Sequence, residues 1–248
     1  MKRIKTAVAL FAVAAATLAV FSFLPGEPKP LTWPEALEEY LGTPAYKTVD
    51  RSKPLHEQTS VFEMAGRAFE MPTVYISSNI AEQRELDGLN LVYVLPDYRS
   101  RADFANREQY EQARNERRFG HMLLQPSSKR PSFDVSIANL HHGLEKIESA
   151  GTFDGLEVEK WYQERRGQLI FYNEVYIERD DQGKVVSWID CATLERPSAR
   201  FPSCSHRFRD KDLLYKINYN KDRYLNDWRT MRASAIAFIE SFEIAKKP

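Results

Sequence analysis

The chain has 248 residues, and its 35 basic and 35 acidic side chains give a formal net charge of zero. Three of the basic residues lie within the first five positions, so the rest of the chain has 35 − 3 = 32 basic and 35 acidic residues, a net charge near −3. This balance argues against the basic surfaces with which proteins bind nucleic acid or anionic lipids. The roughly 220 residues that follow are enough for one hydrophobic core.

Residues 1–26 predict a signal peptide or a transmembrane anchor. Lys2, Arg3 and Lys5 precede an apolar run from Ala7 to Leu24, the pattern that keeps the N-terminus inside while the following chain crosses the membrane. The run is long enough to span a bilayer, which takes roughly 17–25 residues, whereas the apolar part of a cleaved signal has about 7–15. We therefore expect residues 4–24 to tether the protein to the inner membrane, with its domain in the periplasm. Secretion after cleavage is the alternative.

Residues 27–60 predict a spacer and a short helix. The prolines at 25, 28 and 30 break any helix and stiffen the connection after the apolar run. Thr32-Trp33-Pro34-Glu35 is a capping box with proline in the first turn, which predicts a helix from Thr32 to Leu41 that stops at Gly42. No further linker follows, so residues 61–248 are expected to form a single domain.

A β-hairpin is predicted at the start of this domain. Val61–Met64 and Arg67–Glu70 flank the turn Ala65-Gly66, and this register places Phe62 opposite Phe69. Further strands are predicted in three short apolar segments: Thr73–Ile76, Leu89–Leu95 and Phe119–Leu124.

Residues 99–118 alternate six arginines with acidic residues. Mixed charge of this kind predicts an exposed helix with ion pairs between neighbouring turns. The alternative is an arginine cluster that binds a carboxylate or a phosphate.

The strongest strand pattern lies late in the chain. In Gln168–Arg179 apolar residues alternate with tyrosines and glutamates, and a turn at 180–183 leads to a return strand, Lys184–Cys191. This alternation predicts that Val185, Ile189 and Cys191 share one face. A last strand alternates apolar and polar residues, with Leu213, Tyr215, Ile217 and Tyr219 on one face.

The chain closes with a helix that Asn220 caps. Apolar residues recur along it at spacings of three and four, which predicts a buried stripe: Leu225, Trp228, Met231, Ala235, Phe238, Ile239 and Phe242. The nearest apolar surface is the predicted sheet. The expected fold class is α+β: an antiparallel β-sheet packed by a C-terminal helix, with a short N-terminal helix and an N-terminal signal or anchor segment.

The only two cysteines, Cys191 and Cys204, lie in the part expected to be exported. An even number of cysteines in an oxidising compartment predicts a disulfide, here one that pins a long connection to the sheet edge. The alternative is a zinc site formed by both cysteines and His206.

No motif commits the chain to a reaction. The sequence has no Gly-x-Ser-x-Gly elbow, no Gly-x-Gly-x-x-Gly or Walker loop, and no HExxH or CxxC metal motif, so no catalytic residue and no cofactor is predicted. If the protein were an envelope hydrolase or a small-ligand-binding protein, His206 and His121 would be the candidate acid–base groups, because histidine titrates near neutral pH.

Aromatic residues cluster in the β-rich half of the chain, and Tyr172, Tyr176 and Trp188 are the predicted binding residues. Exposed tyrosines and tryptophans are enriched at protein interfaces. The alternative is a sheet face that another element covers, such as the charged helix.

Five groups of residues between about 60 and 245 form a pattern that is similar to known proteins. They are Phe62-x-x-x-Gly66-x-x-Phe69-x-x-Pro72-x-x-Tyr75-Ile76, Leu95-Pro96-Asp97, Cys191…Cys204-x-His206, Leu225-x-x-Trp228 and Phe238-Ile239-x-Ser241-Phe242. The pattern resembles a loose group of exported, membrane-tethered proteobacterial proteins, and its ending is similar to PsbP-like domains. The plan is also similar to some type VI secretion immunity proteins, in which a signal or anchor precedes a toxin-binding domain. The resemblance implies a fold, and none of these residues is catalytic.

Three functions follow as hypotheses. The first is a non-catalytic periplasmic domain that binds another protein and neutralises a toxin, in the manner of an immunity protein. The second is an envelope hydrolase or small-ligand-binding protein, and the third is a structural component of the envelope.

Overall fold

The structure is a computed structural model, and it describes residues 57–77, 85–100, 103–194 and 202–245. The predicted anchor or signal at 1–26 and the predicted helix at 32–41 lie outside these ranges. Within these ranges, no helix is long and apolar enough to span a bilayer.

The described residues form an α+β fold in which antiparallel sheets dominate and a C-terminal helix follows the last long strand. Eleven strands are present in these ranges. They are β1 (Thr59–Met64), β2 (Arg67–Pro72), β3 (Leu89–Val94), β4 (Phe119–Pro126), β5 (Lys146–Phe153), β6 (Leu156–Arg165), β7 (Gln168–Arg179), β8 (Val185–Ala192), β9 (Ser203–Asp210), β10 (Leu213–Asn220) and β11 (Glu243–Ile244).

Four α-helices and three 3₁₀ turns connect or cover these strands in the described part of the chain. The helices are α1 (Arg107–Asn115), α2 (Phe133–His141), α3 (Lys221–Tyr224) and α4 (Trp228–Glu240), and the turns are Thr73–Tyr75, Ser127–Lys129 and Leu225–Asp227.

The predicted hairpin is confirmed as β1–β2 of a three-stranded sheet. Phe62 pairs with Phe69 across the two strands, and their stacked rings lie 5.5 Å apart. Ala65 and Gly66 both have positive φ, as the two central residues of a tight hairpin turn require. The short strand β11 completes the sheet by pairing with β2.

The second sheet has eight strands in the order β3-β4-β10-β9-β8-β7-β6-β5, and all neighbours are antiparallel. The predicted strand Gln168–Arg179 is confirmed as β7, with the same bounds. The predicted final strand is confirmed as β10, whose four apolar residues Leu213, Tyr215, Ile217 and Tyr219 are all buried.

Two predictions between the hairpin and β4 need correction. Thr73–Tyr75 is a 3₁₀ turn and not a strand, because Pro72 directs the chain into a turn and Ile76 makes only an isolated bridge with Leu91. In the described part of the charged segment 99–118, the α-helix covers Arg107–Asn115, and at its start the Asn106 side chain accepts a hydrogen bond from Gln109 N at 3.0 Å.

The main core lies between the large sheet and the C-terminal helix. Trp228, Met231, Ala235 and Ile239 of α4 are at most 3% exposed and belong to the same apolar cluster as the alternating residues of β10. The predicted stripe on this helix is therefore confirmed as its packing face. We call the sheet face that points into this core the inner face, and the opposite one the outer face.

A second, smaller core forms on the outer face under α2. Phe133 and Ile137 of the helix pack with Trp161, Trp188 and neighbouring apolar residues of β6, β7 and β8. Val185 belongs to this outer cluster, although its spacing predicted that it shares a face with Ile189 and Cys191. The reason is a β-bulge in β8. Arg179 pairs with Val185 and Glu178 pairs with Ser187, so the pairing skips the residue between Val185 and Ser187. This extra residue turns the Val185 side chain to the opposite face of the sheet.

Candidate functional site

The cysteine pair forms the predicted disulfide. Cys191 and Cys204 are directly opposite residues of β8 and β9, with their Cα atoms 4.0 Å apart, and both are buried in the main core. The bridge therefore crosses the middle of the large sheet and not its edge. The alternative zinc site finds no support, since both thiols are bonded to each other and no cluster of metal-ligating side chains occurs among the described residues.

The two candidate acid–base histidines lie in different environments. His206 is 0% exposed, lies 2.9 Å from the Ser187 hydroxyl in a hydrogen bond, and packs against Phe208 and Trp228. Burial, together with the nearby charge of Arg232, lowers the pKa of His206 to about 3. His121 is exposed on β4. Solvent does not reach His206, so its position gives no support to acid–base catalysis.

The three predicted binding residues are not presented together on a surface. Tyr176 is 5% exposed in the main core, and Trp188 is 2% exposed in the outer cluster, so the two side chains point to opposite faces of the sheet. Their burial agrees with the alternative of a covered sheet face, and their binding role stays a prediction. Tyr172 is half-buried, and its binding role stays a prediction.

A histidine–carboxylate pair is present at a position that the sequence analysis did not select. His141 Nε2 lies 3.0 Å from Glu159 Oε2, and the same oxygen accepts a hydrogen bond from Trp161 Nε1 at 2.7 Å. The three side chains join the end of α2 to β6. We interpret this group as a structural contact between helix and sheet, since both hydrogen bonds to the Glu159 carboxylate come from these two elements.

A polar recess of about 290 Å³ lies on the outer face of the large sheet. It is formed by β8, β9 and β10, and its lining is polar: Asp190, Ala192, Ser203, Cys204, Ser205, Arg207, Lys216 and Asn218. Ser205, Arg207, Lys216 and Asn218 alternate with main-core residues along β9 and β10, so they all point to the outer face. We call this cavity the outer-face recess.

The strand register arranges the lining residues in two rows. In one row Ser205 lies directly between Asp190 and Asn218, and in the other Arg207 lies directly between Trp188 and Lys216. Side chains directly opposite on antiparallel strands have Cβ atoms about 4.5–5.5 Å apart. The recess therefore concentrates two cations and one carboxylate on neighbouring strands.

Burial destabilises the charged forms of Arg207 and Lys216. Burial lowers the pKa of Arg207, and the nearby Asp190 carboxylate only partly opposes that change. Burial and the charge of Arg207 lower the pKa of Lys216. Arg207 is held over the Trp188 ring at 4.2 Å, and its Nη1 lies 3.9 Å from Asp190 Oδ2, too far for a direct hydrogen bond.

Several buried polar atoms of the recess have no hydrogen-bond partner among the described residues. They are Ser205 Oγ, Arg207 Nη1 and Asn218 Oδ1. Each such atom typically costs a protein about 1–3 kcal/mol, which is why most buried polar groups are paired. With two cations and one carboxylate among its described lining residues, the recess can bind a polar, negatively charged group.

The recess is not visible in the sequence, because the pattern of β9 does not predict a strand. The segment Ser203–Asp210 has no β-branched residue and alternates aromatic and cysteine side chains with strongly polar ones. The short β9–β10 connection, Lys211-Asp212, also lacks the glycine that marks a two-residue hairpin. The alternation of Cys204, His206 and Phe208 was the signal that could have revealed the strand.

No protein-family model matches the sequence, and no curated protein is similar to it at a significant level. Among solved structures, the fold is similar to Smlt3025, an immunity protein of the type IV secretion system of Stenotrophomonas maltophilia. That similarity has a TM-score of 0.54 at 16% sequence identity and covers 79% of this chain and 97% of the other.

The iron-regulated outer membrane lipoprotein FrpD of Neisseria meningitidis is also similar, with a TM-score of 0.42 and 11% identity over 75% of this chain and 93% of the other. At this TM-score the second similarity supports no inference. The first one shows a shared fold with an immunity protein of a type IV system, whereas the sequence pattern pointed to type VI systems. The PsbP-like plan stays a prediction.

Proposed function

We propose that the protein is a non-catalytic periplasmic domain that binds a toxin protein and neutralises it, in the manner of an immunity protein. The observation that carries the proposal is the similarity of its fold to an immunity protein over nearly the whole of that protein's chain. Because a fold alone does not determine function, the proposal also depends on a surface that can bind a partner. The outer-face recess, with its unpaired polar groups, is such a surface.

Two features support a location outside the cytoplasm. The basic residues and apolar run of the first 24 positions are typical of an export signal or anchor. The buried Cys191–Cys204 disulfide is typical of proteins in an oxidising compartment such as the bacterial periplasm. Tethering to the inner membrane through residues 4–24 is part of the proposal.

The test is a contact competition between bacteria. Cells that lack the gene are grown on a solid surface against parent cells, and we expect them to lose because they no longer neutralise the toxin that the parent delivers. A copy of the gene on a plasmid should restore survival. A plasmid copy with cytoplasmic targeting, made by deleting residues 1–26, should not restore it.

Two controls separate neutralisation from a general envelope defect. The mutant should survive next to parent cells whose secretion apparatus is inactivated, and it should grow at the parental rate when cultured alone. A structural envelope role predicts the opposite, a growth defect that does not depend on the competitor. Equal survival of the mutant and the parent under contact would contradict the proposed function.

A further inference from the structure

The outer-face recess contains an arrangement that is unfavourable in the protein alone. Arg207 and Lys216 are directly opposite each other on β9 and β10, and like charges at opposite positions of a sheet destabilise it. Both groups are partly withdrawn from water, where charge repulsion is less screened. A sheet surface without a binding role would gain stability from a neutral or acidic residue at one of these two positions.

The carboxylate in the recess does not balance the two cations. Asp190 accepts a hydrogen bond from the Asn173 amide on β7, and it lies 3.9 Å from the nearest nitrogen of Arg207. The charge of Asp190 also acts on Lys216, but burial and the charge of Arg207 outweigh it, so that the pKa of Lys216 is lowered. Among the described lining residues, one carboxylate and two cations leave an excess charge of +1.

We infer that the outer-face recess binds one acidic side chain, an aspartate or a glutamate, of the partner protein. The Arg207 guanidinium, whose side chain is 22% exposed, and the half-buried Lys216 ammonium are the groups that would donate to its oxygens. A carboxylate carries one negative charge and so balances the excess of +1, whereas the Asp190 carboxylate disfavours a group with two negative charges such as phosphate. The inference rests on the proposed function for the identity of the partner as a toxin.

The chemical part of the inference is tested without any toxin. The full chain, purified in mild detergent, is treated with a lysine-acylating reagent, and the rate of labelling at each lysine is followed by peptide mass spectrometry. The probe is N-acetylglutamate amide, and its neutral isostere N-acetylglutamine amide is the control. Lys184, which is exposed in the β7–β8 turn, reports any effect on the reagent itself.

The acidic probe should slow the labelling of Lys216 severalfold. This protection should saturate at millimolar concentrations of the probe, as for a single ion-pair contact. The neutral probe should leave Lys216 unchanged, and Lys184 should be unchanged with both. The Arg207→Gln variant should lose the effect. If Lys216 is labelled equally fast with and without the acidic probe, only water occupies the recess and the inference is overturned. Stronger protection of Lys216 by inorganic phosphate than by the acidic probe also overturns it.

The partner part of the inference is tested in the contact competition. Lys216→Gln should protect cells poorly, because loss of one member of a buried charge contact typically weakens an interface by about 30-fold or more. Lys184→Gln changes the net charge equally and should protect as well as the parent sequence. Both variants are checked for parental amounts of folded protein in the envelope.

The two tests fail in different ways. If the deletion mutant competes normally, the proposed function is wrong, and the labelling result still decides whether the recess binds a carboxylate. If the acidic probe protects Lys216 but Lys216→Gln protects cells fully, the recess binds an adventitious anion only, and the assignment to the partner's acidic side chain is overturned.

Discussion

Gly120 lies directly opposite Tyr93 in the β3–β4 pair, and the tyrosine ring occupies the space in which a side chain at position 120 would lie. Tyr93 is fully buried, and its hydroxyl donates a hydrogen bond to the carbonyl oxygen of His121 at 3.1 Å. A Cβ at position 120 would lie 3.0 Å from Tyr93 Cζ and closer still to the ring edge. The ring cannot move away, because Tyr98 and Phe238 pack against it.

We therefore expect Gly120→Ala to lower the free energy of unfolding by about 1–3 kcal/mol, the usual cost of overfilling a packed core. Gly88→Ala is the matched control, since its Cβ would meet only ordinary contacts with the flexible Gln125 and Leu123 side chains. Denaturant unfolding followed by tryptophan fluorescence measures both variants. An equal effect of the two substitutions would show that the ring adapts to a side chain at 120.

A second prediction concerns the disulfide in the middle of the large sheet. The bridge joins residues 13 positions apart, and in the chain-entropy model a loop of this length stabilises the fold by about 3 kcal/mol. The double variant with Cys191→Ala and Cys204→Ala should have a free energy of unfolding that is lower by about the same amount. Reductant should destabilise the parent protein to a similar extent and leave the double variant unaffected. Stability of the parent that does not respond to reductant would contradict the prediction.

The parts of the fold that could be predicted from the sequence are those whose strand pattern is clear. Strand β7 has the predicted bounds, and the stripe on α4 is the face that packs on the sheet. The pattern and the final environment agree along α4, whereas in β7 a bulge places Phe171 and Val175, which the spacing assigned to one face, on opposite faces.

Other parts of the fold could not be predicted, because an irregularity hides the alternation of apolar and polar residues along their strands. In β7 a β-bulge interrupts the alternation, because Trp161 pairs with Asn173 and Tyr162 pairs with Phe171, so that the pairing skips Tyr172. Strand β5 is a mostly exposed edge strand with little apolar signal. In β8, the bulge next to Val185 reverses the face of that residue. The outer-face recess depends on which strands are neighbours, and a register between β8, β9 and β10 is not visible from any one segment.

A third prediction concerns acid stability. Burial lowers the pKa of His206 to about 3, whereas a histidine in an unfolded chain has a pKa of about 6.5. Between these two values the unfolded chain binds a proton that the folded protein does not. The free energy of unfolding therefore falls as the pH is lowered from about 6.5 towards 3, by at most about 1.4 kcal/mol for each pH unit from this group.

The measurement compares unfolding by denaturant at about pH 7 and about pH 5. His206→Gln should lower stability at the higher pH, because it disturbs the buried contact with Ser187, and should lose less stability on acidification than the parent protein. His142→Gln, at an exposed position next to the end of α2, should keep the parental pH dependence. A parental pH dependence in His206→Gln would mean that the histidine is protonated in the fold.

The last prediction separates the needs of binding from those of stability in the outer-face recess. Lys216 lies opposite Arg207, and burial together with that neighbouring charge disfavours its ammonium form. Replacing it with methionine keeps the length of the side chain and removes the repulsion. We therefore expect Lys216→Met to raise the free energy of unfolding by about 0.5–1 kcal/mol, a modest value because solvent still screens the partly exposed group. Lys184→Met, in an exposed turn, should change stability by less than about 0.5 kcal/mol.

The same Lys216→Met protein should fail to protect cells in the contact competition. A variant that is less stable than the parent would show that Lys216 supports the fold and would remove the physical reason for assigning it to a partner.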